Sequence, residues 1–123
     1  MRPAIIDFQV LSRIGAERRE FSSGDVIFSE GDSGNELYVV REGAVDIRVG
    51  GESVERLGSS EIFGEMALVD GKPRSATAVA ETDCVLVPVG ERQFMMMVAE
   101  APYFALAVMR VLAGRLRDAN AAR

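Results

Sequence analysis

Between residues 25 and 89 the chain consists almost entirely of short apolar runs separated by glycine-rich turns, a pattern that leaves few folds open. The runs are DVIF, ELYVV, AVDIRV, SVERL, EIF, TAVA and CVLVPV, and the turns include EGDSGN, REG, VGGE, LGSS and VDGKP. Within AVDIRV, Val45 and Ile47 alternate with Asp46 and Arg48, as expected for a strand with one buried face. Many short strands at close spacing predict a sandwich, a jelly roll or a small barrel.

A different pattern precedes this β region. Phe8, Leu11 and Ile14 have a weak helical spacing, which predicts a short N-terminal helical arm over residues 1–20. From Phe21 onward the period changes to that of strands, so the arm is expected to end just before this residue.

Two helices are predicted after the β region. ERQFMMMVAEA has the composition and spacing of the first, and Pro102 begins the first turn of the second. The second helix has an apolar stripe formed by Phe104, Val108, Val111, Leu112 and Leu116. We predict a single domain over residues 1–123, in which the arm is followed by a β region over 21–90 and helices over 91–123.

Composition excludes several classes of function. The formal net charge is −5, whereas a nucleic-acid-binding domain usually has a basic surface, so no direct nucleic-acid binding by this chain is expected. The chain has no histidine, which removes most zinc sites, the commonest general base and the Ser-His-Asp triad. An enzyme of the cupin type, which holds its metal with histidines, is therefore not expected, and no metal or cofactor is predicted.

The single cysteine and the hydropathy pattern indicate where the protein resides. Cys84 can form no internal disulfide, which fits a reducing compartment. The opening MRPAIIDFQVL is interrupted by Asp7 and is too short for a signal peptide, and no run approaches the roughly 20 apolar residues of a membrane span. We therefore expect a cytoplasmic protein with no membrane partner.

The segment FGEMALVDGKPRSA, residues 63–76, contains the candidate binding groups. Gly64 lets the backbone turn without a side chain in the way of a ligand, and a helical turn beginning at Glu65 would present free N–H groups to an anion. Arg74 returns from the turn VDGKP with a planar fork of donors suited to two phosphate oxygens, and Ser75 adds a hydroxyl. This combination predicts a local anion site on an acidic protein.

Glu65 identifies the second half of the ligand. A carboxylate beside an anion site is unfavourable unless it accepts hydrogen bonds, and the hydroxyl groups of a sugar would supply them. A ligand that carries a phosphate and a ribose hydroxyl a few ångströms apart satisfies both Glu65 and Arg74. The residues therefore point to a nucleotide.

The whole arrangement resembles the cyclic nucleotide-binding domain family, which is shared by catabolite-activator-type regulators, cyclic-nucleotide-dependent kinases and cyclic-nucleotide-gated channels. FGEMALVDGKPRSAT is similar to the phosphate-binding cassette of that family, and FSSGDVIFSEGDSGNELYVVREGAVDI is similar to its first strands, with turn glycines at Gly31, Gly34 and Gly43. ETDCVLVPVGERQFMMMV is similar to the last strands and the helix after them. The resemblance implies a mainly β fold: an eight-stranded, jelly-roll-like β-roll with a short N-terminal helical segment and two C-terminal helices.

The resemblance also implies a role for each residue of the cassette. Those facing the phosphate are Arg74, the hydroxyl of Ser75 and the backbone N–H groups of Met66 and Ala67. Those facing the ribose are Gly64 and Glu65, whose carboxylate would accept from the 2′-hydroxyl. Leu68 and apolar strand residues would contact the base, and Arg115 or Asn120 of the last helix, roughly residues 103–120, would reach the purine.

The implied ligand is cAMP or cGMP, with no further cofactor. In this family a threonine directly after the arginine tends to accompany cGMP, and alanine or serine more often accompanies cAMP, so Ser75 favours cAMP without excluding cGMP. The family often has Pro-Gly-Asp before the FGE strand, where this chain has LGSSEIFGE, and a valine where it has Ala78. Neither departure touches Glu65 or Arg74.

The expected function is a sensor that couples cyclic-nucleotide binding to movement of the C-terminal helix and catalyses no reaction. A ligand-free β-roll that forms a homodimer through its C-terminal helix is the main alternative. The chain could also be the sensor fragment of a transcription regulator or a channel, signalling to an effector domain or protein. The sequence does not reveal which effector receives the signal.

Overall fold

The computed structural model describes residues 6–121 and contains eight antiparallel strands in two four-stranded sheets. The strands are β1 (Arg19–Phe21), β2 (Val26–Phe28), β3 (Leu37–Glu42), β4 (Val45–Val49), β5 (Glu52–Leu57), β6 (Ile62–Phe63), β7 (Thr77–Ala80) and β8 (Cys84–Val89). The first sheet has the order β1-β8-β3-β6 and the second β2-β7-β4-β5, so strands distant in sequence become neighbours. The predicted fold, a mainly β roll of eight strands with flanking helices, is confirmed.

Within the described residues there are four helices: α1 (Phe8–Arg13), α2 (Glu65–Asp70), α3 (Glu91–Glu100) and α4 (Tyr103–Ala121). The N-terminal helix and the two C-terminal helices were predicted, but the arm is shorter than expected. Its last residues, from Arg19, form β1, which pairs with β8 at the edge of the first sheet. Residues 1–5 of the predicted arm and residues 122–123 of the last helix lie outside the described residues.

The central strands of the first sheet, β3 and β8, are covered on both faces, which explains why they are almost continuous apolar runs. In β3, Leu37 and Val39 pack in a cluster with the helices, whereas Tyr38 and Val40 pack in the core between the two sheets. Phe104 of α4 belongs to the cluster on the helical face. This packing fixes the first half of α4 against the sheet.

The core between the sheets contains three neighbouring aromatic rings, Phe28, Tyr38 and Phe63. Their centroids are 5.3–6.0 Å apart. Cys84 lies in the same core, where burial raises the pKa of its thiol, so it behaves as a small apolar residue. Phe28 and Phe63 are important for the site because both also line the cavity described below.

The apolar stripe of α4 is buried only in part. Phe104 and Val108 are buried, Val111 and Leu112 are half-buried, and Leu116 is 63% exposed. The predicted stripe therefore faces the core over the first half of the helix, and its last member, Leu116, is exposed because α4 extends beyond the helical core cluster. No helix between residues 6 and 121 is long and apolar enough to cross a membrane.

Ser60 lies in the LGSS turn with a φ of 72°, the only positive φ of a non-glycine residue among the described residues. This left-handed conformation costs a non-glycine residue about 1–2 kcal/mol. Glycine avoids that cost but loses more backbone entropy on folding, so the net gain in stability is smaller. We expect Ser60→Gly to raise the free energy of unfolding by about 0.5–1 kcal/mol, or roughly 2–5 °C in thermal denaturation.

Ser33→Gly is the matched control, because Ser33 is also an exposed loop serine but its φ is not positive. It should lower the melting temperature slightly, because glycine adds entropy to the unfolded chain. If calorimetry shows the same change in melting temperature for both substitutions, the backbone at Ser60 is not strained.

Candidate functional site

The segment predicted to bind an anion forms one wall of a cavity between the β-roll and α4. β6 ends at Phe63, Gly64 turns the chain, α2 follows, and the loop after α2 returns Arg74 to the same place. The cavity has a volume of about 60 Å³. It is lined by Phe28, Ile47, Phe63, Gly64, Glu65, Met66, Ala67, Arg74, Ser75, Ala76 and Arg115.

Gly64 lies next to both charged residues of the cassette: it precedes Glu65 in the chain and contacts the guanidinium of Arg74. Its φ of 77° lies in the left-handed region, and a Cβ built on it would come within 2.8 Å of Nη1 of Arg74. The carbonyl oxygen of Gly64 accepts a hydrogen bond from the same nitrogen at 3.1 Å. The backbone conformation and the close approach of Arg74 both require glycine at this position.

Arg74 is buried, with only 6% of its surface exposed, although it carries a permanent charge. Its backbone is fixed by two hydrogen bonds of 2.8 Å, from its N–H to the carbonyl of Asp32 and from the N–H of Gly31 to its own carbonyl. Burial lowers the pKa of the guanidinium, and the nearby Tyr38 is the largest of the groups that oppose this shift. The Nε atom has no hydrogen-bond partner in the described part of the chain, residues 6–121.

Glu65 is the first residue of α2 and is 1% exposed. Its Oε2 atom accepts a hydrogen bond of 2.6 Å from Nε of Arg115, whereas its Oε1 atom is buried without a partner. A buried carboxylate next to an anion site is tolerable here because Arg115 compensates its charge. One acceptor of Glu65 therefore has no hydrogen-bond partner among residues 6–121.

Arg115 connects α4 to the rest of the site. Besides Glu65 it donates from Nη1 to Oε1 of Glu55 on β5, at 2.7 Å. Burial acts to lower the pKa of Arg115, but the charges and hydrogen bonds of the two carboxylates outweigh it and raise the pKa above its usual value. One arginine thus links the last helix, the cassette and the second sheet.

The structure brings most of the sequence-predicted site residues together. Those that line the cavity are Gly64, Glu65, Met66, Ala67, Arg74, Ser75 and Arg115. Leu68 instead packs against the cluster of the helices, and Asn120 is exposed near the end of α4 and does not line the cavity. Successive side chains of a helix are about 100° apart, so Met66 and Leu68 lie on different sides of α2. Met66 lines the cavity, whereas Leu68 packs against the cluster of the helices.

Several residues of the site were not predicted from the sequence. Phe28 and Ile47 come from strands of the second sheet, and Glu55 reaches the site only through Arg115. The pairing of β2 with β7, in which Phe28 lies opposite Ala78, brings Phe28 next to the loop of Arg74. Nothing in the DVIF run distinguishes a cavity residue from an ordinary core residue, so only the sheet topology reveals it.

Comparison with known proteins agrees with this geometry. The sequence profile of the cyclic nucleotide-binding domain matches residues 18–101. The chain is 37% identical over 109 residues to the cyclic AMP receptor protein of Thermus thermophilus, covering 85% of this chain and 50% of that protein. It is 44% identical over 66 residues to a cAMP-dependent protein kinase regulatory subunit of Debaryomyces hansenii, covering 54% of this chain and 15% of that protein.

Among solved structures, the catabolite activator protein of Thermus thermophilus superposes with a TM-score of 0.80 at 35% identity, over 94% of this chain and 55% of that one. The chain spans half or less of the length of the two curated relatives. The profile match covers most of the chain, including the cavity residues from Phe28 to Ala76, and the structural match extends the likeness to nearly all of it. The chain belongs to the cyclic nucleotide-binding domain family.

Proposed function

We propose that this chain binds a cyclic nucleotide in the cavity between α2 and α4. The observation that supports the proposal is the pairing of two buried, oppositely charged side chains that each have a polar atom without a partner. These atoms are Nε of Arg74, a donor, and Oε1 of Glu65, an acceptor. A phosphate accepts from the first and a ribose 2′-hydroxyl donates to the second, so one ligand satisfies both.

The energetics of burial favour this assignment over a purely structural one. A buried polar atom that lacks a hydrogen bond costs about 1–3 kcal/mol, and more when the group is charged, so such atoms are rare in folded proteins. Here the two residues that carry such a donor and acceptor line one cavity, whereas structural ion pairs normally satisfy each other. We propose no reaction for the chain, because the side chains of Arg74 and Glu65 both serve to hold the ligand.

We assign cAMP as the preferred ligand on the basis of Ser75, which occupies the position directly after the arginine. Its hydroxyl is exposed and lies 3.9 Å from the sulfur of Met66, a weak partner that a ligand can replace. The lining also includes the apolar residues Ile47 and Ala76. The Ser75 hydroxyl is able to accept from the amino group of guanine, so the preference for cAMP rests on the family tendency of serine at this position.

The position of Arg115 supports coupling between ligand binding and the C-terminal helix. The cavity volume of about 60 Å³ is well below the roughly 300 Å³ at which small-molecule pockets begin. Arg115 extends from α4 into this cavity, so we expect either its side chain or α4 to shift when a nucleotide enters. When α4 returns, Arg115 again holds Oε2 of Glu65 and leaves Oε1 for the ribose, which makes helix docking and ligand binding mutually favourable.

Isothermal titration calorimetry of the purified chain with cAMP and with cGMP tests the proposed function. We expect saturable binding of both at one site per chain, with the tighter dissociation constant for cAMP. The 2′-deoxy analogue of cAMP should bind more weakly, because it cannot donate to Glu65. Absence of heat with both cyclic nucleotides would overturn the proposed function, and tighter binding of cGMP would overturn the preference alone.

A second candidate function is homodimerisation through α4, which the exposed apolar side chains of this helix support. Met109 is 56% exposed and Leu116 63% exposed. Light scattering of the chain with and without cAMP distinguishes the two functions. A dimer that forms equally well without any nucleotide binding would favour a dimerisation module, whereas a nucleotide-binding chain of either oligomeric state supports the sensor.

A further inference from the structure

We propose that Phe28 and Gly34 are positioning residues that, together with Gly64, form a seat for the guanidinium group of Arg74 and thereby set its affinity for phosphate. This inference rests on the proposed role of Arg74 as the phosphate ligand. The arginine seat, as we call these three residues, is built from β2, from the EGDSGN turn and from the start of α2. The resemblance to the family places Phe28 only in a strand and Gly34 only in a turn, whereas it assigns Gly64 to the ribose side of the ligand.

The seat is needed because Arg74 lacks the partner that a buried arginine normally has. Within residues 6–121 it forms no salt bridge with any carboxylate. Its guanidinium makes one hydrogen bond to the protein, from Nη1 to the carbonyl of Gly64. A long side chain with a single hydrogen bond would rotate freely unless packing restricts it, so the surrounding residues must determine its orientation.

Phe28 provides the first restriction. The Cζ atom of Arg74 lies 4.0 Å from the centroid of the Phe28 ring, a close cation–π contact, and Tyr38 lies further away at 5.9 Å. The Phe28 ring is itself held against Tyr38 and Phe63, with centroids 6.0 and 5.9 Å away. The guanidinium thus rests on the aromatic group of the core between the sheets.

Gly34 provides the second restriction. A Cβ built on Gly34 would lie 2.5 Å from Nε of Arg74 and 2.7 Å from both Cζ and Nη2. These distances are far below van der Waals contact, so the backbone of the turn lies directly against the guanidinium. The φ of Gly34 is not positive, so the backbone accepts alanine, and the three atoms nearest to the added Cβ all belong to Arg74.

The consequence is that the donor fork is oriented before the ligand arrives. Nη1 donates to the carbonyl of Gly64, and Nε is buried beside Gly34 with no hydrogen-bond partner among residues 6–121. A phosphate that enters meets donors whose orientation is already fixed, so little conformational entropy is lost on binding. Among residues 6–121 no carboxylate forms a salt bridge with Arg74, so a phosphate competes only with the carbonyl of Gly64 for these donors.

The test measures cAMP affinity in Phe28→Leu and Gly34→Ala by calorimetry. Loss of the cation–π contact should weaken binding roughly 3- to 30-fold, and Phe28→Tyr should restore it. Displacement of the guanidinium by the new methyl group of Gly34→Ala should weaken binding roughly 10- to 100-fold. Matched controls outside the cavity are Phe21→Leu, a half-buried core residue of β1, and Gly58→Ala, where a Cβ meets nothing closer than 3.9 Å.

A double-mutant cycle with Arg74→Lys separates positioning from general damage to the core. Lysine has no planar fork to orient, so in that background Phe28→Leu should change the affinity less than about threefold. An equal loss in both backgrounds, or wild-type affinity of Phe28→Leu and Gly34→Ala, overturns the seat.

The seat can also be tested without any nucleotide, which separates its failure from failure of the proposed function. In the NMR spectrum of the ligand-free chain, the Nε–H proton of Arg74 should exchange with water at least several-fold more slowly in the wild type than in Phe28→Leu. If no cyclic nucleotide binds but this difference is present, the proposed function fails and the seat stands. Equal exchange in the two proteins overturns the seat regardless of binding.

Discussion

Replacement of Arg74 by leucine is expected to weaken cAMP binding by about 2–4 kcal/mol, roughly 30- to 1,000-fold, without unfolding the protein. The loss follows from removal of charge-assisted hydrogen bonds to the phosphate in a cavity where no other cation replaces them. Arg115, the other arginine of the cavity, is already paired with Glu65 and Glu55. Calorimetric titration of the variant measures the loss directly.

The stability of Arg74→Leu distinguishes this explanation from a damaged fold. A buried guanidinium without a carboxylate partner is unfavourable in the free protein, and leucine retains contact with Phe28. We therefore expect the free energy of unfolding to fall by no more than about 1 kcal/mol, the value of the hydrogen bond to Gly64.

Arg56→Leu is the matched control for charge in the Arg74 experiment. Arg56 is an exposed arginine that pairs with Glu81 on the surface, and its loss changes the net charge by the same amount. Exposed charges are screened by salt and contribute little, so this variant should bind cAMP like the wild type. Near-normal affinity of Arg74→Leu, or an equal loss in Arg56→Leu, would refute the role of Arg74.

The strands and the cassette could be predicted because their signals are local. The alternation in AVDIRV gives β4, and the turn glycines separate neighbouring strands. Glu65 and Arg74 lie nine positions apart on one short segment, so their proximity needs only a helical turn and a return loop. Short-range patterns of this kind survive in almost any tertiary context.

The rest of the site depends on contacts between distant parts of the chain. Arg115 donates to Glu65 across 50 positions, and Phe28 lies beneath Arg74 because β2 pairs with β7. No period or motif in the sequence encodes which helix side chain meets which carboxylate. β1 was missed for a related reason: REF has a single apolar residue, and an edge strand forms by pairing with β8.

Among residues 6–121, Arg74 has no carboxylate partner, and we relate this absence to ligand binding. The protein compensates Glu65 with Arg115 but leaves Arg74 to an aromatic ring and glycine backbone. The cavity therefore has one charge that is already neutralised and one that is not. In the proposed complex, a monoanionic ligand such as a cyclic phosphate would restore neutrality at Arg74, which would allow an acidic chain to bind an anion.

Replacement of Arg115 by methionine is the second change with a large expected effect. It leaves the carboxylate of Glu65 buried without its cation, a type of change that costs about 3–5 kcal/mol in a fully buried pair. Because the side chain of Arg115 is 28% exposed, we expect a smaller loss of about 2 kcal/mol in the free energy of unfolding. Thermal denaturation should show a decrease of roughly 8 °C.

Two further variants locate the cause of this loss in the Glu65 pair. Glu55→Gln removes the more exposed partner of the same arginine and should cost less than about 1 kcal/mol. Glu65→Gln in the Arg115→Met background removes the stranded charge, so the double variant should be more stable than Arg115→Met alone. A double variant as unstable as the sum of the single variants would show that the two side chains do not interact energetically.

The same variant tests whether α4 is coupled to the ligand. In the wild type, cAMP should increase the hydrogen-exchange protection of the backbone amides of α4, because the bound ribose and Arg115 hold opposite oxygens of Glu65. In Arg115→Met this increase should largely disappear, even at cAMP concentrations that saturate the site. Coupling free energies are typically 1–3 kcal/mol, so the affinity of the variant should fall roughly 5- to 150-fold. Unchanged protection of α4 in the wild type on saturation with cAMP would mean that Arg115 stabilises the fold without transmitting the binding event.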